Sequence, residues 1–335
     1  MLGNRLLLIA ACFFAPLIAC ASFGHAAAPA ESFTIGYSSF SGHYVPLWIA
    51  VEDRLGKKYG LELKAVYAGR LRPQQLLISG EAPLVVATGT GALTSHVLGV
   101  NDQVIILTFV NRVAGVIVTK PEIKSAEDLK GKVIGTGRPG ALADTMVRYV
   151  LRSKLNLLPD RDVKLLPMGE PALGLQAMER GVVDAASFSG PQALMAKKMG
   201  FRELVSYEKL GIVYPYNTVT ALRQTVSKNA ELLERVLKAI IEGIFVFKTN
   251  KEKSIAVWRK YLRGATDDVM EESYQSTVGE LEHVPIPSLP VIKSGLDILS
   301  LQYPQAKQTD PNLIIDATIV RRIEQSGFID ALYKK

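Results

Sequence analysis

The stretch KVIGTGRPGALADT, residues 132–145, places Gly135, Gly137 and Gly140 in G-x-G-x-x-G spacing. A β-branched run precedes it and a helix-like run follows. A strand that ends in a glycine-rich turn and opens a helix leaves backbone N–H groups and the positive helix end facing a polar or anionic group. The spacing is also the literal form of a dinucleotide fingerprint, which needs an acidic residue about 20 residues on to hold the ribose. Here the next predicted strand ends near Glu170, and Asp160 and Asp162 precede that strand. Pro139 fills a loop position that is normally free, and the Gly-Lys-Ser/Thr ending of a phosphate-binding P-loop is missing. The sequence therefore favours a cradle for a small polar solute over a nucleotide site.

Three further loops share this chemistry: GYSSFSGHY at 36–44, ATGTGALTS at 87–95 and ASFSGPQAL at 186–194. Each follows a predicted strand and is rich in Gly, Ser and Thr. Any one of those hydroxyls reads equally well as a helix cap. Four such loops at the carboxyl ends of strands suggest a shared cleft. Catalytic constellations are poor. Of His25, His43, His96 and His283, only His43 follows a strand closely enough to reach a ligand, and His96 is expected on a helix surface. The four histidines lack metal-ligand spacing, and no nucleophile elbow or H-E-x-x-H occurs. Glu52-Asp53 and Asp267-Asp268 read as solvated helix ends. No metal and no cofactor are expected.

The elements that must position these loops alternate between β-like and helical runs, which predicts α/β layers with parallel sheets. Predicted strands are 33–37, 61–67, 84–88 and 104–109, then 133–136, 163–167 and 183–187, with a helix at 143–154 among the intervening runs. The two sets look like copies. Ile35-Gly36 matches Ile134-Gly135, Lys64 and Gly69 match Lys164 and Gly169, and Gly80, Gly89 and Gly99 match Gly181, Gly190 and Gly200. Two similar lobes follow. From Ser227 the chain turns helical, with SKNAELLERVLKAIIEGIFVFK at helical spacing, and this tail is expected to pack around the first lobe.

Composition bounds the rest. The 335 residues are 48% hydrophobic and 21% charged, which excludes wholesale disorder. Leu6–Phe23 is an uninterrupted apolar run after a single Arg5, and small residues follow it. This describes a secretory signal over residues 1–26, with a retained membrane anchor as the alternative. Cys12 and Cys20 are the only cysteines, so the predicted mature domain has no disulfide, thiolate metal site or cysteine nucleophile. Leu17-Ile18-Ala19-Cys20 also resembles a lipoprotein box, which would make residues 1–19 the leader and lipidate Cys20. The excess of 39 basic over 32 acidic residues is spread along the chain without a basic block, so no nucleic acid partner is expected.

IGYSSFSGHYVPLWIAVEDRLGKKYGLELKAVY, IKSAEDLKGKVIGTGRPGALAD and LQAMERGVVDAASFSGP resemble the nitrate/sulfonate/taurine type of solute-binding protein, whose relatives bind a pyrimidine precursor of thiamine. The resemblance covers about residues 33–245. It implies a type II periplasmic binding protein fold, two α/β lobes with a ligand cleft between them and the helical tail on lobe 1. Lobe 1 would be 31–112 and 222–335, lobe 2 would be 113–221, and the crossings would lie near 108–116 and 213–222. It further implies a monomer in the periplasm that delivers a small anionic or zwitterionic solute to the membrane permease of an ABC importer. The family's ligand positions map to Ser38, Ser39, His43, Tyr44, Thr88 and Thr90, and to Gly137, Arg138, Ala141 and Ser189; the glycine-rich loop itself adds Gly140 as a binding candidate, and Arg70 is a second candidate cation. Pro83, in GEAPLVVAT, stands where the family usually has an acidic residue. Two alternatives remain: a sensor without transport, and an enzyme like the eukaryotic thiamine-pyrimidine synthase, whose cysteine-rich motif this chain lacks.

The N-terminal reading is testable. Cell fractionation should place the processed protein outside the cytoplasm; full-length protein in the cytosol would contradict export. Cys20→Ala leaves processing intact if cleavage follows Ala26 and blocks it if Cys20 is lipidated, which mass spectrometry of the mature N terminus reads directly.

Overall fold

The computed structural model describes residues 30–69 and 73–334. The predicted export segment with Cys12 and Cys20, and Arg70, lie outside these residues. Ten strands form: β1 Glu31–Tyr37, β2 Leu61–Tyr67, β3 Leu84–Ala87, β4 Gln103–Arg112, β5 Val116–Thr119, β6 Val133–Thr136, β7 Lys164–Pro167, β8 Ala185–Phe188, β9 Arg202–Ser206 and β10 Val213–Leu222. The helices are α1 Val45–Glu52, α2 Pro73–Ser79, α3 Thr90–Val97, α4 Leu142–Lys154, α5 Pro171–Glu179, α6 Gly190–Lys198 and α7 Arg223–Lys228. The C-terminal region adds α8 Ala230–Thr249, α9 Lys251–Tyr261, α10 Asp267–Val278, α11 Leu289–Leu299, α12 Thr318–Gln325 and α13 Phe328–Tyr333.

Two five-stranded sheets result, ordered β2-β1-β3-β10-β4 and β7-β6-β8-β5-β9. The first three strands of each are parallel, as the alternating pattern predicts. The fourth is not. β10 runs antiparallel to β3 and β4, and β5 runs antiparallel to β8 and β9. The sheets are therefore mixed rather than parallel. The segment Val213–Leu222, expected as the second crossing at the end of lobe 2, is a strand of the first sheet. The chain passes between sheets at 113–115 and 207–212. Buried runs such as β5 and β10 carry no period that tells a parallel strand from an antiparallel one.

The copies seen in sequence are copies in topology. Three of the matched glycine pairs share a left-handed backbone, with φ of 58° and 76° at Gly69 and Gly169, 75° and 70° at Gly80 and Gly181, and 85° and 89° at Gly99 and Gly200. The tail packs mainly on the first sheet, where α8 lies along α1 and α11 lies on β10. It also reaches the second lobe: α10 packs on α6, with an ion pair between Lys198 and Asp268. Residues 45–50 of α1 are all buried, because the helix is enclosed by β2, α8 and α9. Trp48 stacks on Tyr261 at 4.2 Å. His96 is buried rather than on a surface, with Nε2 2.6 Å from the Gln103 carbonyl oxygen, and burial lowers its pKa.

The α1–α8 contact depends on Gly243, where a Cβ would lie 2.1 Å from the Pro46 carbonyl oxygen. Gly to Ala inside a helix ordinarily gains about 0.5–1 kcal/mol. Here the clash with backbone dominates, and overpacking of this kind costs about 1–3 kcal/mol. Gly243→Ala should therefore lower the urea midpoint at unchanged m-value; a raised midpoint would mean that the two helices can separate freely.

Candidate functional site

The two crossings run side by side. Val113 donates its N–H to the Ile212 carbonyl at 3.0 Å, and Tyr207 donates to the Gly115 carbonyl at 2.9 Å. Gly115 sits at φ 134°, and a Cβ there would meet the Phe188 carbonyl oxygen at 2.6 Å, so the first crossing needs glycine. Above this double connection a cavity of about 550 Å³ opens between the sheets. All four Gly/Ser/Thr loops reach it. Ser38, Ser39, Tyr44, Thr88, Thr90, Gly137, Arg138, Gly140, Ala141 and Ser189 line it, while His43 does not.

On the first-lobe side the loop after β1 is braced from behind. Trp258 donates its indole N–H to the Phe40 carbonyl at 3.0 Å, and its ring sits where a Cβ on Gly42 would be. The tight turn Gly42–Tyr44 then sends neighbouring side chains in different directions. Tyr44 meets Ser38 Oγ at 3.0 Å on the cavity wall. His43 turns into the protein, with Nε2 2.5 Å from Glu280 and its ring edge against Tyr216. Burial raises the Tyr44 pKa to about 12 against the opposing hydrogen bonds to Ser38 and Asn217, so its hydroxyl stays protonated. At the start of α3, Thr90 Oγ1 accepts from the Tyr214 hydroxyl at 2.9 Å. Gly91 lets the Gln74 amide lie flat on the helix, at a distance of 1.8 Å from where a Cβ would be.

The second-lobe side carries the G-x-G-x-x-G loop, and its amides are less free than the spacing suggests. Gly140 has φ 75°, the turn conformation that favours glycine. Its N–H, expected to point at a ligand, donates to Asp144 Oδ2 at 3.1 Å, and the Ala141 N–H donates to the Arg138 carbonyl at 2.9 Å. Asp144 lies in the first turn of α4, buried and held by Arg148 Nε at 3.1 Å. Ala141 supplies no side-chain cap to the first-turn amides of α4. Arg138 donates to the Gly69 carbonyl of the opposite lobe at 2.7 Å and to Glu170 Oε1 at 2.8 Å. Ser187 and the Tyr207 hydroxyl are 2.7 Å apart, and Ser189 bonds Tyr216. Burial raises the pKa of both tyrosines.

Arg138 and Glu170 are the only charged side chains in the described lining. The remainder is hydroxyl, amide and apolar surface. No group of three His, Cys, Asp or Glu among the described residues could hold a metal. The arrangement can enclose a small polar organic molecule through neutral hydrogen bonds. The sequence did not point to Gln74, Glu170, Tyr207, Tyr216 or Asn217, all in the lining. The run YPYN at 214–217 was available as a signal, but an aromatic stretch after a crossing reads first as core.

A family model described as NMT1/THI5 like matches residues 44–253. The chain belongs to that family. Solved structures share its fold across most of their length. A protein from Bordetella bronchiseptica RB50 superposes with a TM-score of 0.76 at 20% identity, covering 88% of this chain and 98% of that one. The periplasmic nitrate-binding protein NrtA from Synechocystis PCC 6803 gives 0.72 at 14% identity, covering 88% and 89%. The alkanesulfonate-binding protein SsuA from Xanthomonas axonopodis pv. citri, bound to MOPS, gives 0.68 at 21% identity, covering 88% and 98%. No relative of curated function matches the chain. The NMT1/THI5-like fold is thus the periplasmic binding protein architecture, with two α/β lobes and a cleft between them.

The Asp144 contact can be tested in this NMT1/THI5-like loop. Asp144→Ala removes the acceptor of the Gly140 N–H and the partner of Arg148, and losing buried hydrogen bonds of this kind costs about 1–3 kcal/mol. Thermal melts should drop accordingly, and amide exchange at Gly140 should accelerate. Unchanged exchange would show that the loop holds its shape without the carboxylate.

Proposed function

We propose that this protein is an extracytoplasmic solute-binding protein. It closes two lobes on a small organic solute, anionic or zwitterionic, and delivers it to the permease of an ABC importer. The single observation that carries the reading is the cavity between two sheets that the chain links through paired crossings at 113–115 and 207–212, with strand-to-helix loops of both lobes on its walls. That is a hinge geometry in which a ligand held by both walls stabilises the closed form. The nitrate- and alkanesulfonate-binding proteins of similar fold support the solute class and the importer partner. The apolar N-terminal run supports export, and among the described residues no helix is long and apolar enough to cross a membrane. In this reading Ser38, Ser39, Tyr44, Thr88, Thr90 and Ser189 hold the solute by hydroxyls, together with Gly137 and Arg138 of the second-lobe loop, while Gly140 and Ala141, whose N–H groups are bonded within that loop, shape the wall. His43 supports the wall from behind. The protein acts as a monomer and carries out no chemistry on the solute.

A thermal-shift screen over sulfonates, carboxylates, nitrate and pyrimidines tests the proposal. A solute at 1,000 times its dissociation constant stabilises by about 4 kcal/mol. A hit should also reduce the radius of gyration in solution scattering. A hit that leaves scattering unchanged removes lobe closure from the account, and a screen without any stabilising solute counts against the binding function.

A further inference from the structure

Glu170 stands at the N-terminus of α5, where the helix end favours an anion. Its two carboxylate oxygens have separate partners. Oε1 accepts from Arg138 at 2.8 Å, and Oε2 accepts from the Tyr67 hydroxyl of the opposite lobe at 3.1 Å. The same Arg138 nitrogen bonds the Gly69 carbonyl across the cleft at 2.7 Å. Tyr67 is fixed by its neighbours, with Phe40 at 4.6 Å and Tyr37 at 5.4 Å between ring centroids. Partial burial, and then the Glu170 charge, raise the Tyr67 pKa, so the hydroxyl remains a donor. Arg138 and Glu170 both line the cavity, and their side chains keep 35% and 42% of their exposure. An incoming solute therefore meets the pair, not a guanidinium alone.

Resting on the binding reading above, we propose that Glu170 is a specificity-determining residue. Its carboxylate is a built-in counter-anion on Arg138 that offsets the charge an anionic solute would meet there. A sulfonate or carboxylate entering the cleft meets a guanidinium whose charge Glu170 already offsets, and at Nη2 it gains a charge-assisted hydrogen bond only as Glu170 loses one, so the net gain is small. The displaced carboxylate also stays nearby as a like charge. An uncharged solute loses nothing by this arrangement. Among anionic and zwitterionic solutes, the cleft thus favours one whose cationic group can meet the Glu170 carboxylate over a bare anion. The clasp through Tyr67 and Gly69 makes the same pair a contact between the lobes.

Isothermal titration of butane-1-sulfonate and uncharged butane-1-sulfonamide into the wild type, Glu170→Gln, Tyr67→Phe and the Glu170→Gln/Arg138→Gln double variant tests this. Glu170→Gln should raise sulfonate affinity by about tenfold or more, the low end for a charge-assisted hydrogen bond. It should leave sulfonamide affinity within about twofold, and the gain should shrink with added salt. The double variant should lose the gain. Tyr67→Phe, which weakens the clasp but keeps the ion pair, should not show it. No gain in Glu170→Gln, an equal gain for the sulfonamide, or the same gain in Tyr67→Phe would each overturn the proposal. Far-ultraviolet dichroism and melting confirm folding of each variant. The comparison reads a gain in a variant, so a wild type that binds no solute in the wider screen counts against the binding reading separately.

Discussion

The cleft depends on how each sheet acquires its fourth strand. β4, at the edge of the first sheet, leads through 113–115 into β5, which takes the fourth place in the second sheet. β9, at the edge of the second sheet, leads through 207–212 into β10, which takes the fourth place in the first. Each lobe is thus completed by a strand that arrives from the other. The two crossings must lie together, and backbone hydrogen bonds between them hold them so. Parallel strands β1, β3, β6 and β8 then all end at the gap above this connection, and the loops that follow them have nowhere else to face. The carboxyl edge of an open sheet, the usual place for a ligand, thus faces the gap twice in one chain.

Given that frame, the walls are set by what each loop rests on. The first-lobe loop is fixed by Trp258, which lies more than two hundred residues away on α9 and bonds Phe40. Thr90 is fixed by Tyr214 from β10. Both braces come from the part of the chain that returns after the second lobe is complete. The first lobe is therefore unfinished until the second crossing has formed, and the helical tail belongs to the architecture of the site. α10 against α6 adds a further contact between tail and second lobe, away from the cleft.

Electrostatically the described lining is close to neutral. Tyr44, Tyr207 and Tyr216 are held protonated by burial, and its Arg and Glu are paired. Hydroxyls and amides can donate or accept as the solute demands. Such walls suit molecules that combine polar groups with some apolar surface, and Val113, Leu98, Phe188 and Met146 supply apolar contacts in the same lining.

Much of the fold was legible in local pattern. Predicted strands at 61–67 and 133–136 match β2 and β6 end for end, and the helix expected at 143–154 begins one residue earlier as α4. The ordered glycine matches announced two copies, because left-handed turns at the same places in each lobe require the same residue. The loops that meet at the cavity were also visible, since a Gly/Ser/Thr loop after a strand has one place to go in an α/β layer. The antiparallel strands β5 and β10 were not visible, because a fully buried strand has no polar face from which direction or sheet could be read. Nor could spacing show which donors and side chains remain available. Gly140 satisfies the turn that its motif requires, yet its N–H is taken by Asp144. His43 sits in the right loop, yet Glu280 draws it behind the wall. Arg138 lies in the cleft, but Glu170 and Gly69 hold its guanidinium. The sequence by itself determined the elements, their duplication and the loops that converge. Tertiary structure alone decided the pairing of each polar group, because partners distant in the chain compete for the same hydrogen bonds and only the packed arrangement settles which of them meet.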